Sequence, residues 1–394
     1  MKKFLNQYMN RDIFLVILFS FLSILLFFYP TGFEERVDDK AIRCKGRIVD
    51  VDNSEVHQFG MVKTGDQRVS IKILNGPLKG RLVQANNPLL GQMDRDKLFI
   101  PDDIALIIIS QNENGEIHFV NPQAHYRIGL ELYLLGIFAV ALLVFGGWTG
   151  AKALLSFLFT GLMLWRILVP CLLKGYDPLI ISLLVVALLT GVIIFLVAGV
   201  SSRGVVAFSG SFLGVLTSCG LAFYFTDKFH VHGAVMPFAE TLLYSGFGHL
   251  DLTKIYISAV FIAASGAVMD LAMDVAASMH ELVLKNPQIS QWEMIRSGLR
   301  VGRAVTGTMT TTLLLAYSGG FITLFMAFMA QGIPLVNLFN LIYVATEVLK
   351  TLVGSFGLVM VAPFTAIVGG FVFTHSSDSK ETYQMAVHKK EVPV

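Results

Sequence analysis

Leu179-Ile180-Ile181-Ser182-Leu183-Leu184-Val185-Val186-Ala187-Leu188-Leu189-Thr190-Gly191-Val192-Ile193-Ile194-Phe195-Leu196-Val197-Ala198-Gly199-Val200 runs for twenty-two residues without a charge. As a helix rising 1.5 Å per residue it would cover about 33 Å, enough for the ~30 Å hydrocarbon core of a bilayer. Similar runs recur on both sides of it: Ile13–Tyr29, Ile128–Trp148, Lys152–Pro170, Val205–Phe225, Thr253–Met279, Val305–Ala330 and Gly354–Phe373. With Leu179–Val200 that makes eight candidate spans.

Composition agrees. Of 394 residues 54% are hydrophobic and only 15% charged, against about 25% charged in a soluble domain. Mean hydropathy is +0.66. Almost half of the charges fall between Thr31 and Arg127, so the remainder is nearly charge-free. The chain therefore divides into an anchor helix (1–30), a polar extracytoplasmic domain (31–127), a polytopic membrane domain (128–375) and a cytoplasmic tail (376–394). The fold class expected is an all-α polytopic helical bundle of about eight transmembrane helices carrying a small β-barrel-like domain. No small-residue cleavage site follows Phe27-Phe28-Tyr29-Pro30, so the first span reads as an uncleaved anchor.

A net charge of +2 gives no reason to expect nucleic acid as a partner. Cys44, Cys171 and Cys219 have no metal or disulfide spacing, and neither a metal site nor a cofactor is expected. Walker A, HExxH, GxSxG and strand-borne GxGxxG patterns are absent, which argues against an enzyme.

Orientation follows from the loop cations. With the N-terminus cytoplasmic, inside loops carry Lys152, Arg203, Lys285, Arg296, Arg300 and Arg303, and the tail adds Lys380, Lys389 and Lys390. Both termini are then cytoplasmic, in a bacterial plasma membrane. Residues 335–353 are long enough for a ninth span but carry Asn337, Asn340, Glu347 and Lys350; they read better as a re-entrant or interfacial helix. Residues 230–250, with Glu240, look comparable. Ala239-Glu240-Thr241-Leu242 and Thr346-Glu347-Val348-Leu349 both precede an out-to-in span, the pattern of an internal transporter repeat.

In the polar domain, Ile42–Val51, Arg68–Leu74, Arg81–Gln84, Ile104–Ser110 and Glu116–Val120 read as short strands. Asn75-Gly76-Pro77, Lys79-Gly80, Asn86-Asn87-Pro88 and Asn114-Gly115 read as turns. Five such strands suit a small barrel of the OB or SH3-like kind.

The chemistry gathers in Ser265–Leu282. At about 100° per residue, Gly266, Asp270, Asp274 and Glu281 share one helical stripe. Carboxylates in a bilayer are costly and ordinarily face a bundle interior or a water path. These acids, with Glu347 and Glu240, are the candidates for proton or ion coupling. Arg296, Arg300 and Arg303 share a helical face and are candidates for lipid headgroups or for pairing with the acids. Thr306, Thr308, Thr310 and Thr311, like Gly266, suit a polar pathway or close packing with interhelical hydrogen bonds. Gly210 and Gly214 form a GxxxG in the fifth span.

Gly266-Ala267-Val268-Met269-Asp270-Leu271-Ala272-Met273-Asp274, followed by Met279-His280-Glu281-Leu282, resembles the YibE/F-like family of bacterial membrane proteins. The likeness extends to Ile73–Gly80, Gly302-Arg303-Ala304, Gly307-Thr308-Met309 and Val353–Leu358. Paired members in that family imply a paralogous partner subunit; a homo-oligomer is the alternative, and membrane lipids are partners in either case. From the fifth span onward the layout also resembles the SecF half of the SecD/SecF factors and RND-type transporters. That likeness implies proton coupling at Asp270 and Asp274. The function expected is a transporter or proton-coupled translocation factor. The competitor is a non-transporting scaffold that docks partners through the polar domain. An intramembrane aspartyl protease is disfavoured, since Asp270 and Asp274 lie on one helix.

Overall fold

The computed structural model describes residues 2–36, 41–112 and 115–375, with side chains from residue 12 onward. The tail 376–394, Asn114 and the side chains of Lys2, Lys3 and Arg11 lie outside the described residues. The chain forms two compact units, one of residues 32–145 and one of residues 1–31 with 146–394.

The first unit is built on five antiparallel strands, β1 (Ile42–Phe59), β2 (Val62–Ile73), β3 (Leu82–Leu90), β4 (Ile104–Gln111) and β5 (Ile117–His125), in the order β3-β2-β1-β4-β5. The edge strands β3 and β5 approach each other, so the sheet nearly closes into a barrel. Alternate residues of β4, Ala105, Ile107 and Ile109, point into a core shared with Ile48, Ile71, Ile73 and Phe99. The strands run longer than their apolar stretches. The arms Asp52–Phe59 and Val62–Gln67 pair across the Gly60-Met61 turn although they are mostly polar. Asn86-Asn87-Pro88, expected as a turn, lies inside β3 opposite Arg68, Gln67 and Asp66. The reason is buried: Asn87 Nδ2 donates to Gln67 Oε1 (3.1 Å) and to the Lys97 carbonyl (2.6 Å). Gln67 in turn donates to the Phe99 carbonyl and accepts from the Phe99 amide, both at 3.0 Å. Two fully buried amides thus hold the 91–103 loop onto the sheet.

Helices make up the rest: α1 (Lys2–Phe28), α2 (Ile128–Met163), a π-helical segment (Leu164–Leu168), α3 (Val169–Leu173), α4 (Pro178–Ala198), α5 (Ser202–Lys228), α6 (Ala239–Tyr244), α7 (Leu252–Lys285), α8 (Gln291–Ser318), α9 (Ile322–Ala330), α10 (Leu335–Asn340) and α11 (Ile342–His375). Among the described residues, six helices are long and apolar enough to cross a membrane, against the eight expected. The apolar part of α1 is shorter, and the second and third runs are two helical stretches that meet at a kink inside α2. Gly147, at φ 51° and ψ −126°, kinks that helix where the two units divide; glycine tolerates this conformation because it has no Cβ.

Residues 335–353 are not one element. The chain breaks at Leu341, and Glu347 and Lys350 belong to the first turns of α11, continuous with the last expected span. A ninth span is therefore not formed. Residues 230–250 hold only the six-residue α6 and a short 3-10 turn. Glu240 is exposed on α6, whereas Glu347 is inside α11, so the two expected repeat positions are not equivalent.

α7 packs against α4, α5, α8 and α11. Lipid tails are as apolar as leucine, so such helices hold together by close packing rather than by exclusion from water. Glycines make that approach. A methyl on Gly210 would overlap Thr365, one on Gly357 would overlap Ser218, and one on Gly302 would meet Ala362. The GxxxG of α5 is thus its contact with α11.

Polar contacts align the helix ends. Lys152 Nζ pairs with Asp12 Oδ2 at 3.1 Å, and Gly199 lies beside the same carboxylate, so residues 12, 152 and 199 share one end. Lys152 is buried by this pair and is not an open loop cation. At the other end Lys254 Nζ pairs with Asp177 Oδ2 at 2.8 Å, and Tyr256 donates to the Thr346 carbonyl at 2.9 Å. The rings of His280 and Phe373 lie 5.5 Å apart, tilted by 45°, toward the Asp12 end.

Candidate functional site: ionisable groups within the helical unit

Asp251 caps α7 by accepting from the Lys254 amide, and the helix then runs thirty-four residues to Lys285. Asp270 is eighteen residues past Leu252, about 27 Å along the axis. The stripe Gly266, Asp270, Asp274 and Glu281 does not face the bundle interior of this chain: all four residues are exposed. The interior of α7 is taken by Val268, Leu271, Ala272, Val275 and Met279. A Cβ on Gly266 would meet nothing within 4 Å, so the close helix approach expected there is not made within the chain.

α8 opens with a reciprocal cap in which Ser290 and Glu293 bond each other's backbone amides. Arg296, Arg300 and Arg303 follow on its exposed face, and no ion pair to the α7 acids forms among the described residues. The threonines bond within their own helix. Thr306 donates to Gly302, Thr310 to Thr306, Thr308 to Val305 and Thr311 to Gly307. Among the described residues they make no interhelical hydrogen bond, the packing role read for them.

Glu347 is the acid that enters the bundle. Its side chain is 15% exposed, and Oε1 lies 3.8 Å from Lys350 Nζ one turn along α11. That ammonium sits 5.0 Å from the ring centre of Tyr317 on α8. Glu347 Oε2 and Tyr317 Oη are both buried without a hydrogen-bond partner. Tyr256 of α7 joins the group through its bond to the carbonyl of Thr346, the residue before Glu347. A carboxylate, an ammonium and two phenols from three helices are therefore collected at the Lys254 end of the bundle, largely out of contact with solvent. Glu347 was visible in the sequence; Tyr317 and Tyr256 were not, because an aromatic in an apolar run carries no sign of its neighbours.

A cavity of about 610 Å³ opens between the end of α5 and the start of α7. Tyr224, Thr226, Asp227, His230, Asp251 and Lys254 line it. The Thr226 hydroxyl is buried there without a partner. Among the described residues, no three His, Cys, Asp or Glu side chains gather as a metal ion would need.

A family model described as YibE/F-like protein matches residues 134–375, well over half of the chain, and stops short of the β-sheet. No curated protein and no solved structure matched.

Proposed function

The chain belongs to the YibE/F-like family, and from that premise we propose that it is a multi-pass membrane transporter or translocation factor driven by proton movement. Its coupling groups in this reading are Glu347, Asp270 and Asp274, its substrate enters from the Tyr224–Lys254 cavity, and it works without a cofactor. The observation that carries the proposal is Glu347: a carboxylate inside an apolar bundle, held by one cation and left with a free oxygen. Ionisable residues inside membrane helices mark ion or substrate paths because leaving them there without a role is costly. Loss of a proton from Glu347 strengthens its attraction to Lys350, and gain of one releases it, so protonation can bias the α8–α11 contact at Tyr317. Arg203, Lys285, Arg296, Arg300 and Arg303 gather at the Asp12 end, which the positive-inside rule makes cytoplasmic in a bacterial plasma membrane.

The test is proton flux into proteoliposomes, read by an enclosed pH dye, beside complementation of a deletion strain at measured membrane abundance. Glu347→Gln and Asp270→Asn keep shape and hydrogen bonding but cannot titrate; both should accumulate normally and lose flux and complementation. Full complementation by the Glu347→Gln, Asp270→Asn, Asp274→Asn variant would end the proposal.

One observation favours the scaffold reading. The β1–β2 turn exposes Phe59 and Met61, and Met93 is exposed beside a smaller cavity there. Apolar side chains in that setting suit a protein partner. Loss of complementation in Phe59→Ser with Met61→Ser, while the acids prove dispensable, would favour it.

A further inference from the structure

α7 and α8 leave two charge stripes of opposite sign uncovered: Asp270, Asp274 and Glu281 on α7, and Arg296, Arg300 and Arg303 on α8. The two helices are antiparallel neighbours whose register is set by Gly298 against Met279 and Gly302 against Val275. Continued one residue at a time, that register puts Arg303 at the depth of Asp274 and Arg296 at the depth of Glu281. It also puts Thr311 at the depth of Gly266 and Gly307 at the depth of Asp270. Ala259, Ala263 and Gly266 prolong the acidic stripe with small exposed residues, and Gly307 likewise meets nothing within 4 Å.

We propose that these two stripes are the interface of a two-fold dimer, α7 of one copy lying against α8 of the other. Two copies inserted the same way are related by an axis along the membrane normal, and rotation about that axis leaves every depth unchanged. Only residues of equal depth can therefore meet. At equal depth α7 against α8 sets Asp274 beside the partner's Arg303 and Glu281 beside the partner's Arg296, twice over by symmetry. α7 against α7 would set acid against acid. Anionic headgroups would satisfy the arginines but repel the acids, and acyl chains would leave Asp270 and Asp274 facing hydrocarbon. A second copy pairs two acids of one stripe with two arginines of the other, brings Asp270 to the depth of the partner's Gly307 instead of acyl chains, and offers small residues that allow the backbones to come close. The acids are shared with the proposed coupling role, but the readout below is association; pairing that survives loss of transport, or the reverse, separates the two ideas.

Full-length copies with two different tags are co-expressed, cross-linked in the membrane and captured through one tag. Wild-type copies should capture each other. Asp274→Arg alone and Arg303→Asp alone should each lose self-capture by about tenfold or more, since like charges then face each other. Asp274→Arg copies mixed with Arg303→Asp copies should regain it, because both symmetric contacts again join opposite charges. Pairing within one chain cannot produce that rescue. Independently of charge, Gly266→Cys in one tagged copy and Thr311→Cys in the other, with the native cysteines changed to Ser, should give an oxidised heterodimer. Absence of wild-type self-capture, rescue-free mixtures of normally abundant variants, or no disulfide dimer would each overturn the proposal. Capture of a different subunit in place of a second copy would do so as well.

Discussion

At the scale of single residues, the groups that matter most are polar ones in dry places. Lys350→Met removes the cation that, among the described residues, pairs with Glu347 and leaves its carboxylate uncompensated. Its cost should be about 1–3 kcal/mol, read as a lower melting temperature in detergent, and Glu347→Gln added to it should recover most of the loss. In the sheet, Gln67→Ala strands the Phe99 amide and carbonyl and takes one of two partners from Asn87 Nδ2, so urea unfolding of a soluble 32–127 fragment should show a loss of about 2–3 kcal/mol. Loss of less than 0.5 kcal/mol, about the size of an ordinary surface substitution, would mean that the amides are not a unit. Two exposed acids give that fragment an acid limb. The Leu90 amide, then that of Gln92, holds Asp96 below the usual carboxylate range, and the Ser54 amide does the same for Asp52. A lowered folded pKa contributes stability that is present above about pH 4 and is lost as pH falls through the folded value. Stability should accordingly decline below about pH 4, and less steeply in Asp96→Asn. Burial pushes the Cys44 thiol up, so Cys44 should resist thiol reagents until the fragment unfolds.

At the scale of elements, helix contacts rest on glycine. Gly210→Val on α5 and Gly357→Val on α11 each push a branched side chain into the facing helix, at Thr365 and Ser218 respectively. Overpacking of this kind costs about 1–3 kcal/mol or more. Membrane abundance should fall for both, whereas Gly266→Val and Gly307→Val, open in the single chain, should keep a folded monomer. Equal tolerance at all four positions would contradict the packing of α5 and α11. α11 also shows how an element can hide its extent: its first three turns carry Glu347 and Lys350, and the helix continues through them because those groups pair one turn apart.

At the scale of the whole molecule, helix ends sort into two groups, one with Asp12, Lys152 and Gly199 and one with Asp177, Lys254 and Thr346. Cysteines placed at Gln288, in the loop between α7 and α8, and at Gly248, before α7, should therefore label from opposite faces of the membrane. Labelling of both from one face would break the span assigned to α7 and with it the depth of every acid on it.

Much of this was legible in the residues. Uncharged runs of bilayer length read as helices that cross or enter a membrane, since lipid offers the backbone no partner, and charge density alone separated the β-rich stretch from them. Candidate acids were legible too, because a carboxylate in such a run stands out by its cost. Two things were not: the sharp kink at Gly147 that leaves no loop between two runs, where a single φ/ψ pair decides, and the face each stripe presents. Helical periodicity tells which side chains lie together but not which way they turn, for in a bilayer both the interior and the lipid are apolar. Only the packing of α4, α5, α8 and α11 around α7 turned Val268 and Val275 inward and Asp270 outward, and brought Glu347 to Tyr317.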